Sequence, residues 1–341
     1  MGIYNKFIEF EQVIVKYRKT CEIDLFISGG AVQKQKGAGI ADIKKCLCID
    51  VGGTAIKYGI IDSSLNLTDK GEVATPYDGV EAYLDTLELI FRRTEGQVQG
   101  IAMSVPGVID SENGICISGG NLRFIENFNL AEEVEKRCKV PVSIMNDAKS
   151  AAMAEARWGA LSDCKDGIVI VLGTGIGGAL IKDGKVHFGK NFAAGEFSFI
   201  TLSDNMDSSD DTWAGRAGNP RLRTLVANAK GIEDPEEITG YDVFRWAEEG
   251  DPLVLMSLEQ FTRGIAHMII NLQVIYDPDR FVIGGGISRQ PLLLQYIKKN
   301  LNYFYTQFKW PGMKADVTTC KFFNDANLIG AYSYFLSRFV E

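Results

Sequence analysis

From Lys45 onward, short apolar runs alternate with amphipathic stretches. Cys46–Val51 and Ile56–Asp62 are apolar runs of strand length flanking Gly52-Gly53-Thr54, which predicts strand, tight turn, strand. Positions 80–94 read as a helix, Gly100–Val105 as a buried strand, Asn129–Lys139 as a helix, Val142–Met145 as a strand and Ser150–Trp158 as an Ala-rich helix. The opening theme then recurs. Ile168–Leu172 is followed by Gly173-Thr174-Gly175-Ile176-Gly177-Gly178 and a second apolar run, Ala179–Ile181. One unit used twice predicts two related domains facing each other. Beyond an Asp-rich polar loop lie helices at 241–249 and 252–276, a strand at Arg280–Ile283 that ends in Gly284-Gly285-Gly286, and a tail helix, Ala326–Phe339. The alternation indicates an α/β class, and the hairpin openings call for mixed sheets. The expected division is a first α/β domain over 45–155, a second over 156–325, and the tail helix over 326–341.

Residues 1–44 look separate. Ile3, Phe7, Phe10, Ile14 and Tyr17 fall at helical spacing, and Ser28 to Gly39 reads as a linker. One helix cannot bury a core alone, so this segment is expected to be a weakly packed extension. Its acidic Glu9 and Glu11 disfavour a membrane-surface role.

Composition narrows the classes. At 341 residues the chain is long enough for two domains, and 46% apolar with 23% charged residues is ordinary for a globular protein. A net charge of −8 argues against a duplex nucleic-acid partner, which demands a basic stripe. Seven scattered cysteines favour reduced thiols, and Cys46 and Cys48 should share one face of a buried strand. No run reaches the ~18 apolar residues of a membrane span. The first residues lack a signal-peptide pattern, so a cytoplasmic protein is expected.

Three turns place glycines directly after an apolar strand: Gly52-Gly53-Thr54, Gly173–Gly178 and Gly284–Gly286. Alone, each could be only a turn. Together, their exposed N–H groups suit a polyphosphate reached from two sides. Gly173, Gly175 and Gly178 also fit G-x-G-x-x-G, but a strand follows them where a dinucleotide fingerprint needs a helix. Ala179 and Leu180 stand where a Walker A motif needs Lys and Ser/Thr. Asp50 lies inside an apolar strand, so it is either held by hydrogen bonds or placed near a Mg²⁺ carried by phosphates, directly or through water. Lys57 either screens phosphate charge or is solvated. Asp147 follows a strand end and opens a helix. It is either an N-cap or a general base that takes a proton from a sugar hydroxyl, with Asn146 beside it on a neighbouring hydroxyl.

Taken in order, these segments resemble the ROK family of bacterial sugar kinases. Asp50-Val51-Gly52-Gly53-Thr54-Ala55-Ile56-Lys57 is similar to its first phosphate motif, and Ser104-Val105-Pro106-Gly107 to its sugar-side turn. Asn146-Asp147-Ala148 is similar to its catalytic motif, and Leu172–Gly178 to its second phosphate motif. Ala194-Gly195-Glu196 resembles its sugar-contacting loop, and Gly284-Gly285-Gly286 its adenosine turn. The match runs from about 45 to 338. The resemblance implies a duplicated ribonuclease-H-like (actin-like ATPase) fold, with the tail helix packing back on the first domain. It implies Asp147 as base, and Asn121, Asn146, Asp147 and Glu196 on the sugar. Gly52, Gly53, Thr54, Lys57, Gly173, Thr174, Gly175, Gly177 and Gly284–Gly286 would lie on ATP, with Mg²⁺ near Asp50. Transfer to the sugar 6-hydroxyl and a homodimer are implied as well.

The chain also departs from the family. Phe199 stands where most members continue to a histidine, and Asp211–Gly218 contains no Cys where most carry a zinc motif. No structural zinc is therefore expected. Phe199 and Trp213 are expected to form an apolar wall at the anomeric end, unless Phe199 merely fills core. That wall favours β-glucosides or disaccharides over free glucose, fructose or N-acetylmannosamine. Two other readings compete: a sugar-sensing regulator, which lacks its DNA-binding helices here, and an actin-like ATPase without a sugar.

Overall fold

The computed structural model describes residues 45–341 except 205, 206, 209, 210, 310, 311 and 313. The helix expected over Ile3–Tyr17 and the linker over Ser28–Gly39 lie outside the described residues. The chain runs through β1 (Lys45–Val51), β2 (Ala55–Asp62), β3 (Leu67–Ala74), α1 (Val80–Arg92), β4 (Ile101–Val105), a small hairpin of β5 (Ile109–Asp110) and β6 (Ile115–Cys116), α2 (Leu130–Cys138), β7 (Val142–Asn146) and α3 (Asp147–Trp158). It continues through β8 (Gly167–Leu172), β9 (Ile176–Lys182), β10 (Lys185–His187), α4 (Trp213–Ala217), α5 (Asn219–Lys230), α6 (Gly240–Glu248) and α7 (Pro252–Tyr276). It ends with β11 (Arg280–Gly284), α8 (Pro291–Gln307), β12 (Val317–Thr319) and α9 (Ala326–Phe339).

Two five-stranded sheets have the same plan, β3-β2-β1-β4-β7 and β10-β9-β8-β11-β12. In each, three strands form an antiparallel meander and two further strands add in parallel. The recurring strand–turn–strand of the sequence is the β1–β2 hairpin in one sheet and β8–β9 in the other. Among the described residues, no helix is long and apolar enough to cross a membrane.

Strand β1 is buried on both faces, so its alternation divides apolar residues between two cores rather than between core and water. Leu47, Ile49 and Val51 join Tyr83, Leu87 and Ile90 of α1 and Leu130 and Val134 of α2. Cys46 and Cys48 share the opposite face, against Leu328, Ile329, Tyr332 and Phe335 of α9. Burial pushes the Cys46 thiol up to about 12, so it packs as a small hydrophobe. The second sheet is covered by α4 to α8 around a core centred on Leu258, Phe261, Ile265 and Ile269 of α7.

Helices α3 and α9 cross closely. At the crossing, a Cβ on Gly330 would lie 1.6 Å from the Ser150 carbonyl oxygen, so only glycine fits. The far end of α3 is tied by Glu155, a fully buried carboxylate. One of its oxygens accepts from the Ala160 N–H at 2.8 Å, the other from Lys321 and Phe322 N–H at 2.9 and 3.1 Å. These bonds link α3 to the loop before β8 and to the turn before α9.

Gly330→Ala forces helix backbones apart, which no side-chain rotation relieves. Urea unfolding should show a loss of about 3 kcal/mol or more, at or above the top of the usual range for overpacking. A loss within about 0.5 kcal/mol, the size of a neutral surface change, would mean that the crossing yields freely.

Candidate active site

Strand β7 ends at the mouth of a cleft and α3 begins there. Asn146 caps the helix: its side-chain oxygen accepts from the Lys149 N–H at 3.0 Å. The Asn146 amide donates to Gly107 O at 2.8 Å and to Asp147 Oδ1 at 3.0 Å. Asp147 is therefore released from the capping role that its position also allowed. Its Oδ1 takes a second bond from the Ala148 N–H at 2.8 Å, and Oδ2 accepts no donor among the described residues. Burial foremost, then the nearby Asp50 and Glu196 carboxylates, push the Asp147 carboxyl up to about 6, against the pull of the Ala148 N–H and the Lys149 ammonium.

The opposite wall comes from the second sheet. Gly173, Thr174, Gly175 and Gly177, in and after the β8–β9 turn, line the cleft with Glu196 and Ser198, and the cavity measures about 330 Å³. Gly195 has φ +82°, and a Cβ there would lie 2.7 Å from the Ala179 Cα, so only glycine fits directly before Glu196. Glu196 Oε1 accepts from Lys149 Nζ at 2.8 Å.

Asp50 lies at the end of β1, across from Lys57 of β2. Its Oδ1 accepts from Asn327 Nδ2 at 2.9 Å and Ser104 Oγ at 3.0 Å. Burial raises its carboxyl from the usual range, opposed by those two bonds and by Lys57. Asp50, Lys57, Gly284 and Gly285 border a second cavity of about 170 Å³, which shares Val171 and Asn327 with the lining of the first. A third cavity of about 290 Å³ shares Asn324 with the second and is bordered by Gly286, Asn219, Phe244 and the exposed ring of Tyr241.

The structure thus gathers Asn146, Asp147, Glu196 and the second glycine turn in one cleft, and Asp50, Lys57 and Gly284–Gly286 along its continuation. Asn121 lies off this lining, beside Gly53 of the first turn, whose carbonyl accepts from the Tyr77 hydroxyl at 2.6 Å. Gly52 O accepts from Thr75 Oγ1 at 2.7 Å, and Thr54 is exposed. The expected apolar wall needs correction. Trp213 is 1% exposed and packs on Phe197 with ring centroids 5.8 Å apart, because the capped start of α4 points its indole into the core. Phe199 is 76% exposed, so it does not fill core either. Sequence reading missed Asn327, Ser198 and Lys149, and it placed Ser104 on the sugar side, whereas its hydroxyl bonds Asp50. Lys149 alone left a sign, as a charged residue in an Ala-rich helix next to the candidate base. Among the described residues, no cluster of three or more His, Cys, Asp or Glu could hold a metal ion.

Paired sheets of this plan, with a cleft between their first hairpins, define the actin-like ATPase fold. Within that class the ROK family model matches residues 46–338, and the chain belongs to the ROK family. It is 31% identical over 293 residues to a β-glucoside kinase of Klebsiella pneumoniae, covering 85% of this chain and 96% of that one. It is also 31% identical to a β-glucoside kinase of Listeria monocytogenes, covering 86% and 98%. A ROK family protein from Streptococcus pneumoniae in complex with sucrose superposes with TM-score 0.77 at 29% identity, covering 86% of this chain and 98% of that one. A ROK family glucokinase from Streptomyces griseus with glucose and AMPPNP gives 0.74 at 26% identity, covering 84% and 97%.

A carboxyl raised to about 6 carries a stability penalty once it ionises. The stabilising share is full below the unfolded value near 3.9 and is lost as pH rises through about 6. Asp147→Asn keeps the Oδ1 bonds and removes the charge. It should be more stable than the parent by about 1–2 kcal/mol at pH 8, and equal to it near pH 4. Denaturant melts at the two pH values test this, and equal stability at both would refute the raised carboxyl.

Proposed function

We propose that this ROK-family sugar kinase moves the γ-phosphoryl group of Mg-ATP to the 6-hydroxyl of a glucose unit, preferably one carried in a β-glucoside or disaccharide. The observation that carries this reading is the Asp147 carboxylate. One oxygen is held by Asn146 and Ala148 and the other is left for a ligand, between Glu196 and the second glycine turn. An acceptor hydroxyl bonded to Oδ2 gives up its proton to Asp147 as its oxygen forms the new bond to phosphorus. The bond from phosphorus to the bridging oxygen breaks, and ADP departs with the electron pair.

Glu196 accepts from other sugar hydroxyls. The turn at Thr174 and Gly175, closed by the Gly173 N–H on Gly175 O at 3.0 Å, faces the transferring phosphate from the second sheet, and the Gly53–Thr54 turn and Lys57 face it from the first. The third cavity, with Tyr241 at its rim, receives the base. Mg²⁺ needs few protein ligands when phosphates carry it. Asp50, with Oδ1 occupied and Oδ2 without a donor among the described residues, suits a hydrated ion of that kind, which would neutralise charge on the phosphates. Two features support the glucoside preference: the relatives named β-glucoside kinase, and the exposed Phe199 three residues beyond Glu196. An aromatic face there meets a second ring better than it meets water.

ADP release with glucose, mannose, fructose, N-acetylmannosamine, cellobiose and gentiobiose tests the activity. Turnover is expected on at least one glucose-type sugar and should fall by about 10²–10⁴ in Asp147→Asn. kcat/KM should drop tenfold per pH unit as pH falls below about 6, because protonation removes the base. A mutant that retains full turnover would remove Asp147 from the base role. Phe199→Ala should lower kcat/KM for cellobiose about tenfold and for glucose much less, as expected for ~1.4 kcal/mol of lost contact. Equal losses on both sugars would refute the glucoside preference.

A further inference from the structure

Lys149 is the charged side chain in this region that the chemistry above leaves unused. It is 1% exposed, on the first turn of α3, two residues after Asp147. Lysine is almost never buried unless paired, and burying its ammonium costs several kcal/mol that a single ion pair barely offsets. An apolar side chain of similar volume would fill the space at lower cost. The position carries a cation nonetheless, tied at both ends. Its backbone N–H is held by the Asn146 side chain at 3.0 Å and its Nζ by Glu196 Oε1 at 2.8 Å. The residue that caps the base helix and the carboxylate of the opposite wall are therefore linked through one side chain.

We infer that Lys149 is a positioning residue of the sugar site: its ammonium holds the Glu196 carboxylate in place through Oε1 and leaves Oε2 to accept from sugar hydroxyls. This rests on the sugar-kinase reading. Lys149 does not line the cleft, so it acts through Glu196 rather than on the ligand. Without the ammonium, Glu196 would face Asp147 with no counter-ion, and its short turn after Gly195 would have no polar anchor on α3.

The test uses the full chain, Mg-ATP, and glucose and cellobiose as acceptors, with Lys149→Met, Lys149→Arg, Glu196→Gln and the double variant Lys149→Met/Glu196→Gln. Glucose binding by calorimetry supplies a readout that needs no turnover. Lys149→Met should raise the sugar KM and the glucose dissociation constant about tenfold or more, the size of a lost charged hydrogen bond, while the ATP KM stays within about twofold. Lys149→Arg should recover most of the loss. The double variant should be no worse than Glu196→Gln alone, since residues that act as a unit are not additive.

The proposal falls if Lys149→Met binds glucose as the parent does. It also falls if the two single losses multiply in the double variant, or if sugar and ATP KM rise together. Should Lys149→Met fail to fold, Lys149→Arg and Glu196→Gln still decide: parent-like sugar affinity in Glu196→Gln overturns it. A parent protein that turns over none of the sugars defeats the kinase reading instead, and that outcome is separate from any ranking among the variants.

Discussion

The closeness with which α3 and α9 cross governs the site. Where Gly330 meets the Ser150 carbonyl there is no room for even one methyl group, so the helices touch backbone to backbone. Each of them starts at the cleft. The first residue of α3 is Asp147, and the second of α9 is Asn327, which holds Asp50. The crossing therefore sets the spacing between the candidate base and the carboxylate on the phosphate side. Glu155 repeats the tie at the other end of α3, accepting backbone N–H groups from two loops of the second sheet.

Charge is the second constraint. Asp50, Asp147 and Glu196 are near enough for the first and last to raise the proton affinity of the middle one. Three carboxylates in a half-buried cleft repel unless each has donors or a counter-charge. Asp50 has two neutral donors and Lys57 across the hairpin, Glu196 is bonded to Lys149, and Asp147 has a backbone N–H, the Asn146 amide and the more distant pull of the Lys149 ammonium. Burial outweighs these at Asp147 and brings its carboxyl to about 6, within reach of a proton near neutral pH. A pKa matched to the working pH is what a general base needs.

What could be read from sequence, and what could not, follows the range of the interactions. The glycine turns, the strands beside them and the doubled hairpin are local signals, and the structure has all of them in order. The helix placed at Ser150–Trp158 starts three residues earlier, because Asn146 caps it and draws Asp147 into the first turn. Helices α5 and α8 drew no assignment, although Pro220 and Pro291 stand at their starts, where proline is favoured. Asn327 was out of reach because its partner lies 277 positions away, and nothing in a single chain pairs those two residues. Trp213 misled because an aromatic in a polar, Asp-rich stretch looks available, whereas the cap at Thr212 turns it inward.

The two walls of the cleft belong to different sheets, so in-line transfer requires a fixed relation between them. Asp147 comes from the end of β7, while the second glycine turn joins β8 to β9 and Glu196 lies on the loop after β10. A flexible connection would let those walls drift, and a misplacement of about 1 Å can cost about 10²-fold in rate. Helix α3 removes that freedom by belonging to both sides. Its Ala148 Cβ would lie 3.0 Å from a Cβ on Gly177, Lys149 bonds to Glu196, and Glu155 bonds to the loops flanking the second sheet. Asp147, Glu196 and the second glycine turn thus take their positions from one short helix, and the packing of that helix against α9 is where the geometry of the cleft is decided.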